Sequence, residues 1–173
     1  MRDRANLPDV SAKSSAEQRR VWQTFVLLSE AVRREVGRDL ADGSGLSEAD
    51  FTVLAELAHA PEGALRSTRC AQALDWESGR LSHQLRRLEQ RGLITRARGA
   101  AGDGRAAVVA ITDSGRDAYR RALGPHLRSA QYWFLDGIEP DRLAEFGLTL
   151  AALLRHVHER AALRDPDKGE STP

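Results

Sequence analysis

The chain has 173 residues, 41% hydrophobic but only 5% aromatic, with a formal charge of +1. That length suits one domain, or a domain with extra helices, and allows a sizeable core built mainly from Leu, Val and Ala. No apolar run approaches the roughly 20 residues of a membrane helix, and the single cysteine, Cys70, excludes an intrachain disulfide and a Cys-based zinc site.

The N-terminal M-R-D-R-A-N-L-P lacks the apolar segment of a signal peptide, so a cytoplasmic protein is expected. Residues 1–15, with Pro8 and the S-A-K-S-S stretch, have no apolar face and read as a disordered tail. From Ala16 to Leu40, Val21, Phe25, Leu28, Val32, Val36 and Leu40 recur at spacings of three and four, which predicts an amphipathic helix. The A-D-G-S-G segment at 41–45 is expected to break it. Ser47 fits an N-cap with Asp50 as its capping-box partner, and a second helix carries Phe51, Leu54, Leu57 and Ala58 before ending ahead of Pro61.

A turn at 61–63 and a short strand at Ala64–Arg66 lead into a compact helix, Thr68–Leu74. Its partner helix starts near Asp75 or Glu77 and runs to Arg91. Leu81, Leu85 and Leu88 line one face, and Gly92 occupies a C-terminal cap position. Leu93–Thr95 and Val108–Ile111 read as two strands around a loop that holds Gly99, Gly102 and Gly104. Thr112 fits the N-cap of a long helix that Pro125 should kink or interrupt. A last helix after Pro140 carries Leu143, Phe146, Leu150, Leu153, Leu154 and Val157, and the tail from residue 164 reads as disordered.

This order describes a mostly α chain with a small β-wing, a winged helix-turn-helix with added terminal helices. The expected organisation is a tail at 1–15, an N-terminal dimerisation helix at 16–45, a DNA-binding domain at 46–112, C-terminal dimerisation helices at 113–163 and a tail at 164–173. The terminal helices carry wider apolar stripes than a winged module needs. Packing against a second copy is their simplest use, and a two-fold dimer places two reading heads about one DNA turn apart.

Charge supports the same reading. Between Arg66 and Arg105 lie nine arginines against Asp75, Glu77, Glu89 and Asp103, a local +5, so the rest of the chain carries −4. With the leucines facing the core, the opposite side of the second helix presents Ser78, Arg80, Ser82, His83, Arg86 and Arg87. Arg80, in the first turns, suits a bidentate guanine contact, with His83 and Gln84 as further edge readers. Ser78 and Ser82, together with Ser67 and Thr68 at the start of the preceding helix, suit phosphate contacts. At the wing tip Arg105 can enter a minor groove, with Asp103 holding it through an ion pair.

Blander readings stand beside these. An Arg-rich helix face alone is often only solvated surface; its combination with a capped helix end and a wing is what points to DNA. Cys70 reads as a buried, inert thiol, with a redox-sensing regulator as the alternative. Trp76 reads as core. Trp22 and Trp133 are packing residues or the lining of a ligand cavity. His156 and His158 are two apart and diverge on a helix, so no metal site is expected. No phosphate loop, nucleophile elbow or paired-carboxylate spacing occurs, so no catalytic residue, enzyme activity or cofactor is expected. A winged-helix protein-interaction module without DNA binding is the other functional class, but such a module has no need of +5 concentrated at helix and wing.

The chain resembles the MarR family of bacterial transcriptional regulators over about residues 17–160. L-S-E-A-D-F-T-V-L-A-E-L at 46–57 looks like the family's second helix, and C-A-Q-A-L at 70–74 like its first helix-turn-helix element. L-S-H-Q-L-R-R-L-E-Q-R-G-L-I at 81–94 looks like its recognition helix entering the wing. D-G-R at 103–105 and V-V-A-I-T-D-S-G-R at 108–116 look like its wing tip and strand-to-helix junction. The resemblance implies a triangular homodimer reading a pseudo-palindromic operator in double-stranded DNA, usually as a repressor. It also implies release by a small, often aromatic and anionic, effector or, in some members, by cysteine oxidation. The chain departs from the oxidation-sensing branch, because its first 60 residues contain no cysteine. It also departs at W-E-S-G, 76–79, where small polar residues are common. Substituting Arg105→Ala is expected to weaken DNA binding and reduce its salt dependence; an unchanged salt slope in a mobility-shift titration rules out that role.

Overall fold

The computed structural model of the protein describes residues 15–97 and 107–163. Ser15 caps helix α1 (Ala16–Ser44) through a full capping box: its hydroxyl accepts from the Gln18 N–H at 3.1 Å, and the Gln18 side chain accepts from the Ser15 N–H at 2.8 Å. The helix continues past Leu40, where the sequence suggested a break, and stops only when Gly45 turns left-handed and donates its N–H to the Ala41 carbonyl at 2.8 Å. Tertiary packing overrides the low helix propensity of Gly43. A Cβ at Gly43 would lie 3.2 Å from the Pro125 ring, so this turn is pressed against another helix.

Helix α2 (Glu48–His59) carries the expected Ser47–Asp50 capping box. Strand β1 (Ala64–Arg66) leads directly into α3 (Ser67–Ala73), followed by α4 (Ser78–Gln90). Both α3 and α4 end in the same hydrogen-bonded turn. After α3, left-handed Asp75 (φ 48°) donates to the Gln72 carbonyl at 3.1 Å and Trp76 donates to Ala71 at 2.9 Å. After α4, left-handed Gly92 donates to Glu89 at 2.9 Å and Leu93 to Leu88 at 3.0 Å. These are Schellman caps, which satisfy carbonyls that a bare helix end leaves unpaired. Leu93 is part of the second cap, so the strand expected at 93–95 starts one residue later, as β2 (Ile94–Ala97).

Strand β3 (Val108–Ile111) lies between β1 and β2 in an antiparallel sheet, with Leu65 and Arg96 both paired to Val109. Val109 and Ile111 turn inward and join Leu54, Leu57, Leu81, Leu85 and Leu88 in one core.

Helix α5 (Asp113–Trp133) starts as expected, with the Thr112 hydroxyl accepting from the Gly115 N–H at 3.0 Å. It runs through Pro125 without interruption. Proline removes a single backbone donor, and the loss is outweighed by packing on α1. There the Asp39 carboxylate accepts from the Ser129 hydroxyl at 2.7 Å and the Trp133 indole N–H at 2.8 Å.

Trp133 ends one compact unit and Phe134 begins a second. The second holds two short turns, Leu135–Gly137 and Pro140–Arg142, and helix α6 (Leu143–Ala162). Within it the Phe134 and Phe146 rings sit 6.1 Å apart, while Leu150, Leu153, Leu154 and Val157 are exposed.

Gly115 sets how closely α5 meets the base of the wing, because a Cβ there would fall 2.0 Å from the Leu93 carbonyl oxygen. Gly115→Ala is therefore expected to destabilise the protein by about 1–3 kcal/mol, the usual cost of overpacking. A wild-type unfolding midpoint in denaturant would refute that close approach.

Candidate nucleic-acid interface

Helix α4 divides sharply into two faces. Leu81, Leu85 and Leu88 are buried as their spacing predicts. Ser78, Arg80, Ser82, His83, Arg86 and Arg87 are all exposed on the other side. Among the described residues Arg80, Arg86 and Arg87 form no ion pair, which leaves their N–H donors free for an outside acceptor. Thr68 is exposed on α3, whereas Ser67 is half-buried and its N–H donates to the Ala107 carbonyl at 2.8 Å. The wing-tip candidates Asp103 and Arg105 lie outside the described residues.

The basic block is less uniform than its sequence suggests. Arg91 turns back to the buried Asp50 carboxylate, donating through Nη1 at 2.9 Å, and its Nη2 donates to the Gly45 carbonyl at 2.9 Å. Arg96 on β2 donates through Nε to Glu89 on α4 at 2.9 Å. That bond holds the Glu89 carboxyl below its ordinary range and ties the first wing strand to the helix. Both arginines serve the architecture, and the outward charge of α4 rests on Arg80, Arg86 and Arg87.

Gln84 requires a correction. As a candidate base reader it should be exposed, but it is buried and its amide donates to Asp50. The signal was present in the spacing. Position 84 is three after Leu81 and four before Leu88, which places it inside the apolar stripe. Asp50 itself accepts the Ser47 N–H at 2.9 Å while holding Gln84 and Arg91. A carboxylate with 1% exposure and so many donors is a fully satisfied buried charge.

No protein-family model matches the chain, and no curated protein does. Solved structures do. AbsC, a MarR family transcriptional regulator from Streptomyces coelicolor, is 23% identical, with 84% of this chain and 97% of that one covered and a TM-score of 0.74. Sco3205, a MarR family regulator from the same organism solved in complex with DNA, is 24% identical, covering 83% and 93%, with a TM-score of 0.75. The organohalide-sensing regulator RdhR-CbdbA1625 in its 2,4-dichlorophenol-bound form is 19% identical, covering 90% and 89%, with a TM-score of 0.70. The chain has the MarR fold.

In MarR-fold terms α3 and α4 are the helix-turn-helix pair and β2–β3 the wing. Trp76, read from sequence as core, does more than fill space. It packs on the core with part of its ring, and the Arg80 guanidinium carbon sits 4.2 Å from the ring centroid. Trp22 is exposed on α1 beside Phe25, with ring centroids 5.8 Å apart. The Trp133 indole is committed to Asp39, whose carboxyl is held below its ordinary range by the Ser129 and Trp133 hydrogen bonds. A lowered folded-state value means that this α1–α5 clamp contributes above the ordinary carboxylate range and fades as pH falls through it. Neither tryptophan lines the groove of about 470 Å³ around Arg142 and Phe146 or that of about 320 Å³ around Glu56 and Arg69.

Cys70 is fully buried, and burial, aided by the nearby Glu56 charge, pushes its thiol from 9.0 up to about 11. At neutral pH it is a thiol, without the thiolate that a redox sensor requires.

Removing the Asp50 carboxylate leaves Arg91 and Gln84 without their buried acceptor. Asp50→Ala is expected to cost about 3–5 kcal/mol, and Asp50→Asn less, in denaturant unfolding. A loss below about 1 kcal/mol would mean that the network is no stronger than a surface ion pair.

Proposed function

We propose that this chain is a sequence-specific DNA-binding transcriptional regulator without catalytic activity, acting as a homodimeric repressor on a pseudo-palindromic operator. The observation that carries this reading is the face of α4, where Arg80, Arg86 and Arg87 are exposed and unpaired among the described residues, opposite a buried leucine stripe. A helix so divided fits a major groove about 12 Å wide, with its first turn over the base edges. In this reading Arg80 and His83 read bases. Ser67, Thr68, Ser78, Ser82, Arg86 and Arg87 contact phosphate, and Asp103 and Arg105 form the wing tip. Most of the affinity then comes from phosphate neutralisation and most of the sequence preference from Arg80 and its neighbours.

The dimer is supported by apolar surface. On α1 Val21 is 65%, Trp22 64% and Leu27 68% exposed, and within the second unit α6 leaves Leu153, Leu154 and Val157 open. Patches of this kind mark association surfaces. A small aromatic or anionic effector is the proposed release signal, in keeping with the dichlorophenol-bound structure of the same fold. It acts by preferring a dimer geometry whose recognition helices do not match the groove spacing. Trp22 and Trp133 are the candidate ligand contacts. No helix among the described residues is long and apolar enough to cross a membrane, and the proposed location is the cytoplasm.

Selection from random DNA at low salt is expected to enrich a palindrome with half-sites about 10 base pairs apart. Arg80→Ala is expected to relax the consensus, and Arg86→Ala or Arg87→Ala to weaken all sequences alike and lower the salt slope by about one each. No enrichment at low salt sinks the DNA-binding reading.

A further inference from the structure

We propose that Trp76 is a specificity-positioning residue, whose indole holds the Arg80 guanidinium flat so that its edge reads a guanine. The inference rests on the DNA-binding reading and assigns a task to a residue just outside the recognition helix.

The backbone places Trp76 firmly. The left-handed Asp75 and the 2.9 Å bond from the Trp76 N–H to Ala71 lock the turn between α3 and α4. Trp76 therefore stands two residues ahead of Ser78, where α4 begins, and four before Arg80. Its ring is half-buried and packs against the core, and the guanidinium carbon lies 4.2 Å from the ring centroid. Arg80 is exposed and has no ion pair among the described residues, although Glu77 lies only three positions away.

The chemistry follows from the shape of the guanidinium. Stacking on an aromatic ring uses its flat face and leaves the N–H donors in its plane free. Guanine offers O6 and N7 as paired acceptors on the major-groove edge, which a guanidinium matches with two parallel bonds. A free arginine side chain must be ordered when it binds, and a ring beneath it removes part of that ordering cost beforehand. Lysine, a point charge without a planar fork, gains no such geometry. An indole that served only as core would have no bearing on which base is preferred.

The test uses the full-length protein and the consensus operator, with each base pair of a half-site replaced in turn and binding compared at one salt concentration. Wild type is expected to favour guanine at one symmetry-related position in each half-site. Trp76→Leu, which keeps apolar volume but removes the ring face, is expected to lose about fivefold of that preference, with affinity for non-operator DNA unchanged. Trp76→Phe should retain most of it. Arg80→Ala should abolish it, and adding Trp76→Leu to Arg80→Ala should change nothing further. If Trp76→Leu fails to fold, Trp76→Met, also apolar and without a ring face, is read in its place with the same expected loss and an unchanged salt slope. Full guanine preference in Trp76→Leu or Trp76→Met overturns the proposal, as does an equal loss on every sequence. A wild-type protein that binds DNA but selects no guanine overturns this inference alone. One that binds no DNA at low salt overturns the DNA-binding reading and this inference with it.

Discussion

The carboxylate of Asp50 ties the start of α2 to the middle and the end of α4. It completes the N-terminal cap of α2, accepts the Gln84 amide from the middle of α4, and accepts Arg91 from just beyond its end. Arg91 also donates to Gly45, where α1 stops. A buried charge is tolerated only when its acceptors are filled, so the arrangement is all or nothing. A leucine stripe sets which face of a helix turns inward but is not directional. Bonds from Gln84 within α4 and from Arg91 just beyond it to one carboxylate add that direction. The orientation of Arg80, Arg86 and Arg87 is therefore decided on the side of the helix that faces away from them.

The wing is tied to the same helix by a second set of bonds. Leu93 closes the cap of α4, and its carbonyl accepts from the Thr112 N–H at 3.1 Å. The Thr112 hydroxyl donates to the Gly92 carbonyl at 2.8 Å and receives the Gly115 N–H. Arg96 reaches back to Glu89. Helix end, wing base and the start of α5 thus share one short hydrogen-bonded network. A change in α5 has a covalent and hydrogen-bonded route to the recognition helix through only a few residues.

Arginine plays opposite parts within one short stretch. Arg91 and Arg96 are spent on internal carboxylates, while Arg80, Arg86 and Arg87 remain available to solvent. Counting charge along the sequence cannot separate these classes, because the distinction depends on which residues a neighbouring element brings near. Arg80 falls between them: exposed and unpaired, yet held against a ring.

Much of the architecture was legible in the sequence because it rests on bonds between near neighbours. The Ser47–Asp50 box, the Thr112 cap, the Gly92 turn, the strand at Val108–Ile111 and the leucine face of α4 all depend on spacings of two to four residues, which the chain states directly. The misreadings have a common origin. α1 passes Leu40, and α5 passes Pro125, because the two helices press together at Gly43 and Pro125. Gln84 could have been placed by its position between Leu81 and Leu88, but the partner that it shares with Arg91 is Asp50, 34 and 41 residues earlier. Local hydrogen bonding is determined by residue order, so the sequence by itself decided which elements form and which face of each is apolar. Partners far apart in the chain are chosen by how helices cross, and only the tertiary structure decided which carboxylate held Gln84 and Arg91 and which arginines stayed free.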